Sequence, residues 1–352
     1  MNKYLTIYNQ IKSQIKSGIY KAGQKLPSKR VLAERNGVSV ITVEKAYATL
    51  YEEGYVYSEE KKGYFVSEID LLFGMGEEKP INIEYVKEPL CEYKLDFEHG
   101  LWFKTVRKVI SEKADELFIK SPSKGCAILR NAISEYLQKC RNMIAPPKNV
   151  IIGSGAEQLY ETVVKLLGRD KIYAIEDPSY QKIYDVYKGL GATVKLLKMG
   201  SDGIETDWLK NQEFDILHVT PFNSFPSGIT TSASKKYEYL KFAEQKNLYI
   251  LEDDFASEFY TRGKPIESLY SLDKNNRVIY VNTFSLSLSP SMRMGYMILP
   301  DALLEKYDKI LGGFSCTVPV MEQYVLAEFI KNGSFERHLN RARRKLQKKK
   351  TT

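Results

Sequence analysis

Five short segments concentrate the residue types that hold phosphates, rings and small charged ligands. Gly153-Ser154-Gly155-Ala156-Glu157-Gln158 follows a β-branched run and opens a helical pattern, so its backbone N–H groups could cradle a phosphate. Glu176-Asp177-Pro178-Ser179-Tyr180, the stretch Thr220 to Gly228 (TPFNSFPSG) and Glu252-Asp253-Asp254-Phe255 each end a similar run, and Thr283 to Tyr296 (TFSLSLSPSMRMGY) follows another. A second set of residues suits a larger anion. Ser39 is placed to cap a helix whose N-terminus would present N–H groups and a positive dipole end, with Ser39, Val40, Ile41, Thr42 and Lys45 exposed on its first turn. Lys25, Lys29 and Arg30 lie beside that surface, suited to phosphate contacts that give affinity without sequence information. Taken singly, each feature has a plainer use: solvated charges for the basic residues, core packing for Tyr180, a helix cap for Asp253 and a surface ion pair for Arg293.

The elements that must position the anion-facing residues fall within the first sixty-six positions. Tyr4, Tyr8, Ile11, Ile15 and Ile19 recur at helical spacing and Gly18 provides a stop. A second helix starts with Ser28 as its cap and ends near Asn36-Gly37, and a third follows Ser39 with Val43, Ala46, Tyr47 and Leu50 on its apolar face. Two short helices joined by a tight glycine turn make a helix-turn-helix. Tyr55-Val56-Tyr57 and Tyr64-Phe65-Val66 read as a hairpin around the polar tip from Ser58 to Gly63, and that hairpin would be a wing.

Farther along, residues 68–92 have linker composition, rich in Gly, Pro and acids without clear periodicity. Residues 93–352 then alternate helical patterns with seven β-branched runs, near 150–152, 171–175, 192–196, 214–219, 248–251, 278–281 and 296–299. Such alternation predicts a mostly parallel seven-stranded sheet covered by helices on both faces, with ligands bound at the strands' C-terminal ends. The predicted fold class is therefore α/β, with an N-terminal winged helix-turn-helix over residues 1–67.

Charge is distributed unevenly. The 352-residue chain carries +8 overall, but residues 1–66 hold eleven Lys/Arg against six Glu and residues 337–352 hold eight Lys/Arg and no acid. Basic ends on an acidic body suggest polyanion contact at those ends, although the tail from Arg337 reads better as a structural helix than as a nucleic-acid arm. The four cysteines, Cys91, Cys126, Cys140 and Cys316, lack CxxC spacing and read as plain thiols, neither a metal site nor a disulfide framework. With no apolar stretch of signal-peptide or membrane-span length, a cytoplasmic protein is expected.

The segments KLPSKRVLA, GVSVITVEKAY, TLYEEGY and KKGYFV resemble the DNA-binding domain of the GntR family over residues 3–66. That resemblance implies a double-stranded DNA operator, phosphate contacts from Ser28 and Arg30, Ser39 and Thr42 at the groove, and Gly63 shaping the wing. Two departures stand out. Val40 replaces an arginine common in the family, which suggests that Val40 and Ile41 meet thymine methyls, and Glu59 and Glu60 make the wing tip acidic. Over residues 93–340 the later motifs resemble fold type I aminotransferases that depend on pyridoxal phosphate, and the pairing resembles the MocR subfamily of GntR regulators. By that resemblance Ser154, Gly155 and Ala156 hold the cofactor phosphate, Tyr180 stacks on its ring, Asp253 pairs with the ring nitrogen and Arg293 is a second phosphate contact.

By that resemblance Leu286 stands where the family has its Schiff-base lysine and Phe255 replaces a common tyrosine, and the family's C-terminal small domain is expected to be missing. A leucine has no amine, so no catalytic residue is assigned, and pyridoxal phosphate, if bound, is held non-covalently. The sequence thus predicts a homodimeric regulator whose aminotransferase-like domain senses an effector or dimerises without transamination. Two alternatives remain open: a working aminotransferase with an accessory DNA-binding domain, which Leu286 opposes, and a decayed relative that binds DNA without responding to an effector.

Overall fold

The computed structural model describes residues 3–68, 97, 99–260 and 266–351, apart from the side chains of 346 and 348–351. The linker expected at 68–92, beyond Glu68, and Cys91 lie outside the described residues. The chain divides into two compact units, Met1–Leu90 and Cys91–Thr352.

In the first unit, α1 (Lys3–Lys16), α2 (Lys29–Asn36) and α3 (Val40–Glu52) precede a hairpin of β1 (Val56–Glu59) and β2 (Gly63–Val66). Local chemistry sets these limits. The Ser28 hydroxyl accepts from Val31 N–H at 3.3 Å and the Ser39 hydroxyl from Thr42 N–H at 3.2 Å, each satisfying one orphan donor of a helix start. Gly37 closes α2 in the left-handed conformation, its N–H directed at the carbonyls of Ala33 and Glu34. Ile7, Tyr8, Ile11 and Ile15 of α1 pack with Val43, Ala46, Tyr47 and Leu50 of α3 in one core.

Two boundaries differ from the sequence reading. The apolar period runs on to Ile19, but α1 ends at Lys16 and Ile19 is 64% exposed, while Tyr20 packs against the core instead. Ser58 and Glu59, expected in the wing tip, belong to β1, where Ser58 pairs with Tyr64 and Glu59 with Gly63. The wing is also tied back to the α1–α2 connection through Leu26 N–H to the Tyr64 carbonyl and Gly23 N–H to the Val66 carbonyl, both at 2.9 Å.

The second unit runs α4 (His99–Glu112), α5 (Ala127–Arg141), β3 (Val150–Gly153), α6 (Ala156–Leu167), β4 (Ile172–Asp177), α7 (Gln181–Gly189), β5 (Thr193–Lys198) and α8 (Thr206–Asn211). It continues through β6 (Ile216–Val219), α9 (Ala233–Lys246), β7 (Tyr249–Asp253), α10 (Leu269–Leu272), β8 (Val278–Thr283), β9 (Gly295–Ile298), α11 (Asp301–Leu311), α12 (Val320–Lys331) and α13 (Ser334–Thr351). All seven expected strands form one sheet in the order β3-β9-β8-β7-β6-β4-β5. Its members pair in parallel except β9, which runs antiparallel to both β3 and β8.

Every residue of β3, β6, β8 and β9 is buried, the signature of a sheet covered on both faces. One face packs against α6, α7 and α11 through Leu159, Val163, Ile183, Tyr187, Leu303 and Tyr307. The other packs against α5, α12 and α13 around Leu129, Ile133, Phe329 and Leu339, and against α8, α9 and α10 around Leu209, Tyr239 and Leu269. The basic tail is helical, and Arg343 within it donates to the Glu258 carbonyl at 2.6 Å, so part of its charge is engaged inside its own unit.

Candidate nucleic-acid interface and ligand pocket

The α3 N-terminus gathers most of the residues expected to face an anion. Ser39, Val40, Ile41 and Lys45 are exposed, with Thr42 half-buried beside them. The Ser39 and Thr42 hydroxyls bond each other at 2.8 Å. Ser28 and Arg30 are exposed at the start of α2, and the Tyr47 hydroxyl donates to the Pro27 carbonyl at 2.7 Å, which fixes that turn against α3. Lys29 is paired with Glu44, and Lys45 lies over the Tyr4 ring at 4.5 Å. Gly63 has φ +117°, a conformation that strains any residue with a Cβ, and a Cβ built there would meet Lys25 Cε at 3.5 Å. Glu59 of the acidic tip carries a counter-charge, with Lys62 Nζ at 2.8 Å.

At the sheet's edge, β3 runs through Ser154 and Gly155 into α6. Gly155 has φ +99°, open to glycine and strained for other residues, and a Cβ there would approach Arg293 Nη2 at 3.4 Å. Arg293 therefore lies directly against the loop that starts α6, bringing Ser154, Gly155, Ala156 and Arg293 together. The Ser154 N–H donates to Gln158 Oε1 at 3.2 Å, and the Ser154 hydroxyl accepts from Thr317 at 3.1 Å. Arg293 also has Glu157 at 3.5 Å, so its surface ion pair is real and coexists with its place beside the loop. Ser154, Glu157, Gln158 and Arg293 line an open groove of about 590 Å³ running along α6 and α7.

Tyr180 is 44% exposed at the start of α7, and the ring it meets is Phe225, edge-on with centroids 5.9 Å apart. It is not a core residue. Asp253 ends β7, is 4% exposed, and caps no helix, since the following 3₁₀ turn Ser257–Phe259 has Ala256 as its cap. Its Oδ2 accepts from the Tyr160 hydroxyl, while its Oδ1 has no hydrogen-bond partner among the described residues. Burial pushes the Asp253 carboxyl up to about 6, opposed by the Tyr160 hydrogen bond. Leu286 is half-buried, as is Phe255.

Strand alternation separates the three acids of the Glu252-Asp253-Asp254 run. Asp253 shares the face of α6 with Tyr160. Glu252 accepts from Leu269 N–H and Tyr270 N–H, each at 2.8 Å, and Asp254 accepts from Arg141 and the Tyr280 hydroxyl at 2.8 and 2.7 Å. These two carboxylates are held by the opposite face.

Several buried groups near Asp253 and along the neighbouring strands carried no sequence signal. Tyr160 is 93 positions from Asp253. His218, on the neighbouring strand β6, has Nε2 4.0 Å from Asp253 Oδ2 with no hydrogen-bond partner among the described residues, while its Nδ1 pairs with the Tyr187 hydroxyl at 2.8 Å. Burial pushes the His218 imidazole down to about 3, so it is neutral behind Asp253. Glu176 is buried and takes Thr220 N–H at 3.1 Å and the Ser224 hydroxyl at 2.6 Å, anchoring the loop that carries Phe225, and burial pushes its carboxyl up to about 7. Cys126, Cys140 and Cys316 are free thiols. No helix among the described residues is long and apolar enough to cross a membrane.

Residues 3–66 match the model of the bacterial regulatory proteins, gntR family. The uncharacterized HTH-type transcriptional regulator YdeL of Bacillus subtilis is 34% identical over 360 residues, covering 99% of this chain and 77% of YdeL. The probable rhizopine catabolism regulatory protein MocR of Rhizobium meliloti is 26% identical over 362 residues, covering 96% and 73%. Among solved structures, an archaeal alanine:glyoxylate aminotransferase matches with TM-score 0.63 at 24% identity, over 69% of this chain and 62% of its own. LysN, an alpha-aminoadipate aminotransferase from Thermus thermophilus solved with N-(5'-phosphopyridoxyl)-L-leucine, matches with TM-score 0.63 at 25% identity, over 70% and 64%. The chain thus spans less than two thirds of each of these two enzymes. With a GntR helix-turn-helix unit, an aminotransferase-like sheet unit and relatives matched along nearly its whole length, the chain belongs to the MocR-type GntR transcriptional regulators.

Proposed function

We propose that this regulator binds its operator through the α3 N-terminus, with Ser39, Val40, Ile41, Thr42 and Lys45 toward the groove. Lys25, Ser28, Lys29 and Arg30 meet phosphates, and Gly63 shapes the wing. Ser28 can cap α2 and still donate its own O–H to a phosphate oxygen. The second unit serves as a ligand-sensing and self-associating module. Exposed large apolar side chains, Phe103, Phe118, Ile119 and Phe314, support the self-association.

Two observations support the ligand reading, the unpartnered buried oxygen of Asp253 and the place of Arg293 against Gly155, with no amine at Leu286. The unpartnered, buried Asp253 Oδ1 suits a ring nitrogen, and the loop under Arg293 suits a phosphate, so the residues present fit pyridoxal phosphate. Asp253 would hold the ring nitrogen, Tyr180 would cover the ring face, and Ser154, Gly155, Ala156 and Arg293 would hold the phosphate. The cofactor supplies an aldehyde that condenses with amines. Leu286 offers none, so these residues bind and orient without transaminating.

The test is a melting curve of the second unit's transition with pyridoxal phosphate added to the full chain. At a hundredfold excess over Kd the gain is about 2.7 kcal/mol, or roughly 5–10 °C. Wild type should show this rise, while Arg293→Ala and Asp253→Ala should not. No rise in wild type would leave a DNA-binding protein without this effector. For the operator, Arg30→Ala should weaken duplex binding and reduce the slope of log affinity against log salt by about 1, and indifference to both salt and variant would overturn the phosphate contact.

A further inference from the structure

The exposed tip of α3 has an unusual chemical vocabulary for a helix that reads bases. Its 13 residues, VITVEKAYATLYE, include no Arg, Asn, Gln or His. Val43, Ala46, Tyr47 and Leu50 are buried in the core of the first unit. Facing outward over its first nine residues are Val40, Ile41, Glu44, Lys45 and Ala48.

The polar members of that face have partners within the first unit. Glu44 is paired with Lys29, and Lys45 lies over the Tyr4 ring. The Ser39 and Thr42 hydroxyls bond each other, and Ser39 also accepts the Thr42 N–H. What remains at the first turn is apolar: Val40 is 41% exposed and Ile41 76%.

The major groove presents hydrogen-bond donors and acceptors on every base pair, read mainly by Arg or Lys at guanine and Asn or Gln at adenine. It presents one apolar group, the C5-methyl of thymine, which 5-methylcytosine duplicates. A helix tip whose most exposed side chain is the β-branched Ile41, beside Val40 and with basic residues at its flanks, presents an apolar surface that matches that group. We infer that Ile41, with Val40, determines operator specificity by packing against base C5-methyl groups. This rests on the reading of α3 as the helix that enters the major groove. It commits the half-site to thymines, or methylated cytosines, at the positions under the first turn.

The experiment uses the full chain and a binding site enriched from a random duplex pool at low salt. Each thymine of that site is then replaced in turn by deoxyuridine, which removes one methyl and keeps every hydrogen-bonding group. One or two positions per half-site should lose about fourfold in affinity, the transfer free energy of one methyl. Ile41→Ala should weaken the parent site by a similar factor and bind the deoxyuridine version of those positions no more weakly still. Replacing thymine by cytosine there should weaken binding, and 5-methylcytosine should restore part of it.

Because Ile41 is exposed, its variant should keep the melting temperature of wild type. Equal affinity for thymine and deoxyuridine at every position, with salt dependence intact, would overturn the inference while leaving DNA binding standing. So would an Ile41→Ala protein as sensitive to deoxyuridine as wild type. Failure of any sequence to enrich would instead overturn the groove-reading role of α3 on which the inference rests.

Discussion

Tyr160→Phe isolates the one side-chain hydrogen bond that reaches Asp253 among the described residues. The Tyr160 hydroxyl donates to Asp253 Oδ2, and Oδ1 already lacks a partner, so the variant leaves a buried carboxyl with no side-chain donor among the described residues. The size of the effect depends on the charge of Asp253. Its native pKa, raised to about 6 by burial, lies above the usual aspartate value, so the native state holds this proton more tightly than the unfolded chain. Stability linked to it is fully present below about pH 4 and is lost as pH rises through about 6. Because the Tyr160 bond favours the ionised form, removing it moves the native pKa higher still.

At pH 5, where the carboxyl is mostly neutral, the variant loses an ordinary buried hydrogen bond, about 1 kcal/mol. At pH 8 it loses a donor to a buried charge, roughly 1.5–3 kcal/mol. For a unit of this size that is about 2–4 °C at pH 5 and about 3–12 °C at pH 8. Trp102 and Trp208 are the two tryptophans of the chain and both lie in the second unit, so their fluorescence follows its melting. A destabilisation that is equal at the two pH values, or larger at pH 5, would refute the burial of an ionisable Asp253 behind Tyr160.

Glu176→Gln mimics a neutral Glu176, whose native pKa of about 7 also exceeds the unfolded value. Wild type should therefore lose stability relative to the variant as pH rises from 4.5 to 7, with a slope approaching about 1.4 kcal/mol per pH unit, and the difference should level off above 7. Paired urea titrations across that range measure it, and a flat difference would contradict a buried, proton-holding Glu176. Ser39→Ala removes the cap of α3 and should destabilise the first unit by about 1 kcal/mol, whereas Ser39→Gly should cost only a few tenths, read by circular dichroism melting.

The first unit was almost fully legible because its limits are set by residues next to one another. Ser28, Gly37 and Ser39 act on N–H and C=O groups within a turn of themselves, so their types announce the boundaries. Ile19 misled because periodicity cannot register the helix ending three residues earlier at Lys16, after which Tyr20 takes over the packing. The seven strands were legible as buried β-branched runs, but their order and the reversed β9 depend on pairings between distant segments.

The candidate pocket divides along the same line. The loop 153–156, Tyr180, Asp253 and Arg293 could be named from motifs, and Arg293 lies against Gly155. Tyr160, His218 and Glu176 could not, because what singles them out is an orphaned or shared hydrogen bond to a residue 25 or more positions away. Nor could composition distinguish Asp253 from Glu252 and Asp254, which strand alternation sends to the other face.

The most direct measurement of non-covalent ligand sensing is borohydride trapping of pyridoxal phosphate on wild type and Leu286→Lys, followed by peptide mass mapping at equimolar ligand. The predicted result is a phosphopyridoxyl mass at position 286 of the variant and no stoichiometric phosphopyridoxyl mass on wild type. A stoichiometric adduct on a lysine of wild type, or none at position 286 of the variant, would contradict a retained pocket that has lost only its amine.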